Sequence, residues 1–165
     1  MVKHVILIVL LLQISCSTKK NEFNQYRYKI SRFTIKPLEN LELYKVIDTS
    51  SIYILTNIYN FGKQDINIPQ ALKFYKNGRI AKFKNSKYNS IELLNPKRAE
   101  MGFYKLYKNE LEIEFMSNSA QSGNFLVKKK IMINKDTITS FYGDFKYEYI
   151  KYKLPDNYLI YSPDW

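Results

Sequence analysis

Residues 72–84 read LKFYKNGRIAKFK, an alternation of apolar and polar side chains around Asn77 and Gly78. Alternation with period two is typical of a strand with one buried face, and Asn-Gly tolerates the positive φ angles of a two-residue type I′ hairpin turn. This turn predicts that Leu72 pairs with Phe83, Lys73 with Lys82, Phe74 with Ala81 and Tyr75 with Ile80. The face that carries Leu72, Phe74, Ala81 and Phe83 would then point inward, and the paired lysines would face solvent.

A second hairpin is predicted from Phe103 to Met116, with its turn around Lys108, Asn109 and Glu110. One face of this hairpin carries the apolar side chains Tyr104, Leu106, Leu111, Ile113 and Phe115. The other face carries Lys105, Tyr107, Glu110, Glu112 and Glu114. Opposite charges on the second face would meet across the strands and modestly favour pairing.

A third hairpin is predicted to join Phe125 to Ile133 with Thr137 to Tyr142. The same alternation predicts three further strands: Arg27 to Lys36 with a bend near Ser31, Ser51 to Tyr59, and Lys146 to Tyr152. The total of about eight or nine strands, joined mostly by short turns, is typical of an antiparallel meander.

One short helical turn is predicted from Asn95 to Met101, because Asn95 can cap it, Pro96 suits its first position and Gly102 can end it. The segment from Leu38 to Asp48 fits a helix and a strand about equally. The stretch from Leu154 to Trp165 contains two prolines and is interpreted as an irregular strap anchored by Tyr158, Ile160 or Trp165.

The predicted fold is therefore all-β, with residues 26–165 as a single domain that contains at most one short helix. The meander would close into a barrel or fold into a two-layer sandwich of about eight strands, because an open sheet would leave edges exposed to aggregation. The Phe-Tyr-Lys-Asn-Gly-Arg hairpin and the Asn-Lys-Asp-Thr-Ile turn resemble the lipocalin-like domains of small bacterial lipoproteins, over roughly residues 72–142. This resemblance implies a calyx or compact barrel, and its candidate ligand-lining residues are Leu72, Phe74, Phe83, Tyr104, Leu106, Ile113 and Phe115.

The N-terminus has the layout of a secretion signal, with Lys3 and His4 followed by an apolar run from Val5 to Leu12. This run is too short to span a bilayer as a helix, which takes about 20 residues. Residues Leu11 to Cys16 resemble the lipobox of bacterial lipoproteins, which implies cleavage after residue 15 and acylation of Cys16. Residues 16–25 would then form a flexible tether between the lipid and the domain.

The lipobox implies an exported protein held at the cell envelope through its lipid. Ser17 follows the cysteine, whereas Asp at that place commonly retains lipoproteins at the inner membrane, so the resemblance favours the outer membrane. An incidental cysteine behind an ordinary cleaved signal is the simpler alternative.

Residues 16–165 contain neither a histidine nor a second cysteine, since His4 lies in the predicted signal and Cys16 is the acylation site. Ser-His-Asp and Cys-His catalysis and His or Cys metal sites are therefore excluded from the mature chain. The five glycines are scattered singly, so no phosphate-binding loop and no nucleotide cofactor are predicted. The alternating Glu110, Glu112 and Glu114 could in principle serve a glycan hydrolase, but a solvated strand face is the simpler interpretation.

The whole chain has a formal charge of +11, and the 25 basic and 15 acidic residues that remain after signal removal give +10. This charge indicates either contact with anionic lipids or acidic glycans or an A/T-rich coding composition. We expect a non-enzymatic binding module, for a small apolar ligand or an envelope protein, and no nucleic-acid partner. The alternatives are an inhibitor or immunity-type accessory protein and, more remotely, the carboxylate hydrolase; the oligomeric state stays open.

Overall fold

The computed structural model describes residues 19–38, 41–64, 68–84, 88, 90–107, 110–119, 121–163 and 165. These residues form an all-β protein with strands β1 (Lys19–Lys20), β2 (Tyr26–Arg27), β3 (Ser51–Asn60), β4 (Lys63–Gln64), β5 (Gln70–Phe74), β6 (Arg79–Lys84), β7 (Glu100–Tyr107), β8 (Glu110–Ser119), β9 (Gly123–Asn134), β10 (Thr137–Tyr142) and β11 (Phe145–Lys153). No helix in this part of the chain is both long and apolar enough to cross a membrane.

Eight of the described strands form a closed antiparallel barrel, which decides between the two architectures that the sequence left open. Each strand from β5 to β11 pairs with the next, and β3 joins both β5 and β11. The closing β3–β11 ladder runs from Asn60 opposite Phe145 to Ser51 opposite Lys153, with a bulge at Thr56. Strand β4 adds to β3 beside the barrel, and β1 pairs with β2 in a separate small sheet.

The register predicted for the β5–β6 hairpin is wrong by one residue. Phe74 pairs with Ile80, Lys73 with Ala81, Leu72 with Lys82 and Ala71 with Phe83. The loop contains three residues because the Tyr75 N–H donates to the Arg79 carbonyl (2.9 Å) and Gly78 takes φ 73°. One positive-φ residue after a type I turn gives a three-residue hairpin, whereas the predicted type I′ turn needs two in succession.

This register moves side chains between the two faces of the β5–β6 hairpin. Ala81 and Phe83 lie on the outer face with Lys73, in a buried cluster with Leu94 and Leu154. Ile80 lies in the barrel interior with Leu72 and Phe74. Neither predicted solvent-facing lysine is exposed: Lys73 is only 7% accessible, and the Lys82 side chain is 20% accessible.

The other two hairpins form as predicted. Tyr104 pairs with Ile113 and Leu106 with Leu111 on the inner face of β7–β8, and Lys105 forms an ion pair with Glu112 (3.3 Å) on the outer face. Strands β9 and β10 are joined by the two-residue turn Lys135–Asp136. Strands β3 and β11 confirm the predictions for residues 51–59 and 146–152.

The connecting segments differ more from the sequence predictions. Residues 28–36 form no strand; they contain a single 3₁₀ turn, Ile30–Arg32, at the predicted bend. The helical turn capped by Asn95 forms as the 3₁₀ turn Pro96–Arg98 but ends before Gly102, which lies inside β7. The described residues contain three more short 3₁₀ helices, Leu41–Lys45, Ile91–Leu94 and Asp156–Tyr158, whereas the sequence predicted at most one short helix in the domain.

The two ends of the barrel differ. At one end, here called the closed end, the end of β7, the start of β8 and the end of β9 lie beside Val46, and Ile47 and Tyr44 pack against the interior cluster. The other end, here called the open end, carries the β8–β9 and β10–β11 turns. Side chains of residues 26–35 and of the segment after β11 pack on the outside of the wall.

The N-terminal segment begins beside the open end and is fixed along the barrel wall. Residues 19–27 fold back as the β1–β2 hairpin, which includes residues 19–25 of the predicted tether. The Arg27 guanidinium donates to the carbonyls of Pro96 and Ala99 (3.1 and 3.2 Å). Further along, Phe33 packs edge-on against Phe103 with ring centroids 4.7 Å apart. Residues 1–18, including Cys16, lie outside the described residues.

The C-terminal strap lies outside the barrel as predicted, with anchors at Tyr158 and Trp165. Both side chains pack against the outer cluster around Phe83, whereas Ile160 is 66% exposed. The Trp165 ring meets Tyr75 edge-on at 6.4 Å, and the Arg27 guanidinium lies 5.3 Å from its centre. The last residue therefore connects the two segments that cover the barrel wall.

Candidate ligand cavity at the open end of the barrel

A cavity of about 310 Å³ occupies the open half of the barrel interior. Its size lies at the lower end of the range of about 300–1,000 Å³ that is typical of small-molecule sites. It is lined by Gln70, Leu72, Lys82, Ile113, Phe115, Ser117, Phe125, Val127, Lys129, Tyr142, Tyr147 and Tyr149. Tyr142 marks its rim, since it belongs to the last pair before the β10–β11 turn and is 47% exposed.

Strand alternation explains why these side chains converge. Ile113, Phe115 and Ser117 are alternate residues of β8, and their partners on β9 are Lys129, Val127 and Phe125. Because directly paired residues of an antiparallel ladder project to the same face, all six point into the barrel. The cavity thus has an apolar wall in which Lys129 is the charged member.

The closed half of the interior is filled by aromatic rings. Phe74 meets Tyr53 and Tyr104 edge-on, with ring centroids 5.5 and 5.1 Å apart. The hydroxyl of Tyr104 donates to the carbonyl of Tyr75, which satisfies it in the core. Burial raises the pKa of Tyr104 far above its usual value of 10. A ligand in the cavity would therefore rest on a packed floor.

Lys82 enters the cavity because the observed register pairs it with Leu72. Its ammonium group lies 4.9 Å from the centre of the Phe115 ring and forms an ion pair with Glu100. Glu100 also pairs with Lys84. Burial alone would raise the pKa of Glu100, but these two lysines outweigh it and lower that pKa below its usual value of 4.5.

Lys129 is the second cation in the cavity. Its ammonium group lies 4.2 Å from the centre of the Tyr147 ring and 5.1 Å from that of Tyr142. Burial and, to a smaller extent, the nearby Lys82 ammonium together lower the pKa of Lys129 to about 8. Among the described residues, no carboxylate lies within ion-pairing distance of Lys129.

Lys129 is a cavity residue that sequence reasoning missed. Consecutive lysines such as Lys128–Lys130 are typical of a solvated edge strand, but β9 lies between β8 and β10. Lys128 and Lys130 are exposed, and Lys130 pairs with Glu110, whereas Lys129 points inward. The sequence did contain one indication that Lys129 points inward, because Lys129 alternates with the apolar residues Val127 and Ile131 and therefore shares their face of the strand.

The tyrosines complete the polar part of the cavity. The Tyr149 hydroxyl of β11 accepts a hydrogen bond from the side-chain amide of Gln70, which lies on β5 at the other side of β3. Burial raises the pKa of Tyr149 far above its usual value, so its phenol stays protonated. Tyr142 and Tyr147 present their ring faces to Lys129.

The seven candidate lining residues fall into three groups. Leu72, Ile113 and Phe115 line the cavity. Phe74, Tyr104 and Leu106 also belong to the interior, but they lie in or beside the packed closed half. Phe83 lies on the opposite face of the sheet, because the three-residue loop shifts the register.

The three glutamates of β8 lie on the outer face of the barrel. Glu110 pairs with Lys130, and Glu112 with Lys105. Glu114 is fully buried rather than solvated, and it accepts hydrogen bonds from the Thr34 N–H, the Thr34 hydroxyl and the Ile35 N–H (3.2, 2.9 and 2.7 Å). Its role in this structure is to hold the N-terminal segment, and none of the three lines the cavity.

A second cavity, of about 330 Å³, lies outside the barrel under the C-terminal strap. Its charged residues are the exposed Lys76 and the buried Lys73, whose ammonium donates to the carbonyls of Thr49 and Ser51. Burial lowers the pKa of Lys73 to about 8, and the Asp48 carboxylate opposes this shift only in part. Since backbone carbonyls already satisfy this amine, we place the candidate ligand site at the open end of the barrel.

The described residues contain no group of three carboxylate, histidine or cysteine side chains arranged to hold a metal ion. Comparison of the chain with protein-family models, curated proteins and solved structures gives no match.

Proposed function

We propose that this protein is a membrane-anchored envelope lipoprotein that binds a small, partly apolar ligand in a lipocalin-like barrel and does not transform it chemically. The observation that carries the proposal is the cavity of about 310 Å³ in the open half of a barrel whose other half is filled by aromatic side chains. Its apolar walls would hold the body of the ligand, and a few polar groups would orient it, as in small-molecule sites generally.

Ligand binding can be tested with N-phenyl-1-naphthylamine, a neutral dye that fluoresces in apolar surroundings. We expect fluorescence to rise on binding to the purified protein. Ser117→Phe should suppress the rise, since residue 117 faces the cavity. Asn118→Phe is the matched control, because Asn118 is the exposed neighbour on the same strand. Equal binding by both variants, or no binding by the wild type, would refute a ligand site in the barrel.

The anchor is tested separately from the cavity. Cys16→Ser should move the protein from the membrane fraction to the soluble fraction, because the thiol is the group that is acylated. Ser17→Ala keeps the cysteine and should stay with the membranes. If the Cys16→Ser protein remains membrane-bound with an unchanged mass, the lipid anchor is disproved.

A further inference from the structure

Two lysines project into the cavity beside an apolar wall, and one of them has no counter-charge there. Lys82 shares Glu100 with Lys84, so this group carries two positive charges and one negative. Lys129 contacts only ring faces among its described neighbours. The residues that line the cavity include two cations and no carboxylate. The site therefore has an excess of positive charge that an anion would neutralise.

Cations removed from water without a partner are costly. Aromatic faces offset part of this cost for Lys129, by about 0.5–2 kcal/mol in general. The remaining penalty is visible in its pKa, which burial lowers to about 8. An anionic group placed between Lys82 and Lys129 would relieve the penalty on Lys129 and screen the repulsion between the two ammonium groups.

From this arrangement we infer that the ligand is a small amphipathic anion, whose carboxylate, sulfonate or phosphate group contacts Lys82 and Lys129 while its apolar body packs on Leu72, Ile113 and Phe115. The inference rests on the proposed binding function and adds the charge of the ligand to it. The cavity volume of about 310 Å³ lies at the lower end of the range for small-molecule sites, so the apolar body must be small, such as a medium-length acyl chain or a compact aromatic ring system.

Two dyes on one scaffold separate the charge from the cavity. 8-Anilino-1-naphthalenesulfonate carries a sulfonate that the neutral N-phenyl-1-naphthylamine lacks. We expect the wild type to bind the anionic dye more tightly. Lys129→Met should weaken the anionic dye roughly ten- to a hundredfold, as loss of a hydrogen bond to a charged group does, and should leave the neutral dye within about twofold. Lys129→Arg should retain the preference for the anion.

Lys128→Met is the matched control, because Lys128 is the exposed neighbour on the same strand. It should change the affinity for neither dye. If Lys129→Met and Lys128→Met have the same effect on the anionic dye, the inferred role of Lys129 is wrong. If the neutral dye binds normally but Lys129→Met leaves the affinity for the anionic dye unchanged, the proposed binding function stands and the inferred anionic ligand is refuted.

Competition identifies which part of the ligand is needed. Octanoate should displace the anionic dye from the wild type, whereas 1-octanol and inorganic phosphate should do so at least about tenfold more weakly, since each lacks one half of the amphipathic anion. Displacement by 1-octanol as strong as by octanoate would show an uncharged site. Displacement by phosphate as strong as by octanoate would show a simple anion site, and either result overturns the inference.

Discussion

Glu114→Gln should strongly destabilise the protein, although it replaces one side chain by another of nearly the same shape. The Glu114 carboxylate is fully buried and accepts three hydrogen bonds, one from the Ile35 N–H and two from Thr34. An amide offers one acceptor oxygen, and its nitrogen would face an N–H donor of the N-terminal segment. At least one buried donor would thus lose its partner.

The expected size follows from these contacts. A hydrogen bond to a charged group contributes about 1.5–3 kcal/mol, and an unsatisfied buried donor costs about 1–3 kcal/mol. The two effects overlap, so we expect the free energy of unfolding to fall by about 2–4 kcal/mol. For a domain of this size the melting temperature would fall by roughly 5–15 °C.

Glu112→Gln is the control, since Glu112 lies on the same strand and the same outer face. Its ion pair with Lys105 lies at the surface, where the Glu112 and Lys105 side chains are 14% and 41% exposed, and surface ion pairs contribute only about 0–1 kcal/mol. Urea unfolding of both variants gives the comparison, and hydrogen exchange at the Thr34 and Ile35 amides shows whether the N-terminal segment loosens. If Glu114→Gln costs no more than Glu112→Gln, the carboxylate does not hold this segment.

Two further changes test other parts of the structure. Burial lowers the pKa of Lys73 and Lys129 to about 8 from 10.5, so between these values the unfolded chain binds more protons and stability must rise with pH. From pH 7.5 to 9.5 we expect the free energy of unfolding, measured in urea, to rise by about 1–2 kcal/mol for each of the two lysines. Lys73→Met should remove the part of this rise that comes from Lys73. If the rise is as large in this variant as in the wild type, the pKa of Lys73 is not lowered. Gly102→Ala should lower the melting temperature by several degrees, because a Cβ there would lie 2.6 Å from the Glu114 carbonyl oxygen and from the Phe115 ring. Overpacking of this kind costs about 1–3 kcal/mol. An unchanged melting temperature would show that the β7–β8 ladder adjusts freely.

The sequence predicts the barrel well where alternation and turn length agree. In β7–β8 a two-residue turn preserves the faces, so Tyr104, Ile113 and Phe115 lie where alternation places them. In β5–β6 either register places apolar side chains on both faces of the hairpin, so alternation alone cannot choose between a two-residue and a three-residue loop. Contacts of the loop with a distant segment contribute to this choice. Gly78 packs against the backbone of Leu38, and a Cβ on Gly78 would lie only 2.8 Å from the Leu38 carbonyl oxygen.

The candidate site is less predictable for the same reason. Lys82 becomes a cavity residue only through the observed register, which a sequence cannot show. Lys129 was in phase with Val127 and Ile131, but lysine is so rarely buried that the pattern favoured solvent. For Glu114, alternation correctly predicted a position on the outer face of the barrel but not its burial. Glu114 is buried because the N-terminal segment around Thr34 and Ile35 covers it.

The β1–β2 hairpin has a consequence for how the proposed lipoprotein would stand on its membrane. Lys19 pairs with Arg27, which is bound beside the start of β7 at the open end. Only three residue steps separate Lys19 from Cys16, a reach of about 10 Å at full extension. A lipid on Cys16 would therefore hold the entrance of the cavity close to the bilayer surface, with the closed end pointing away, so that a ligand could pass between membrane and barrel over a short distance.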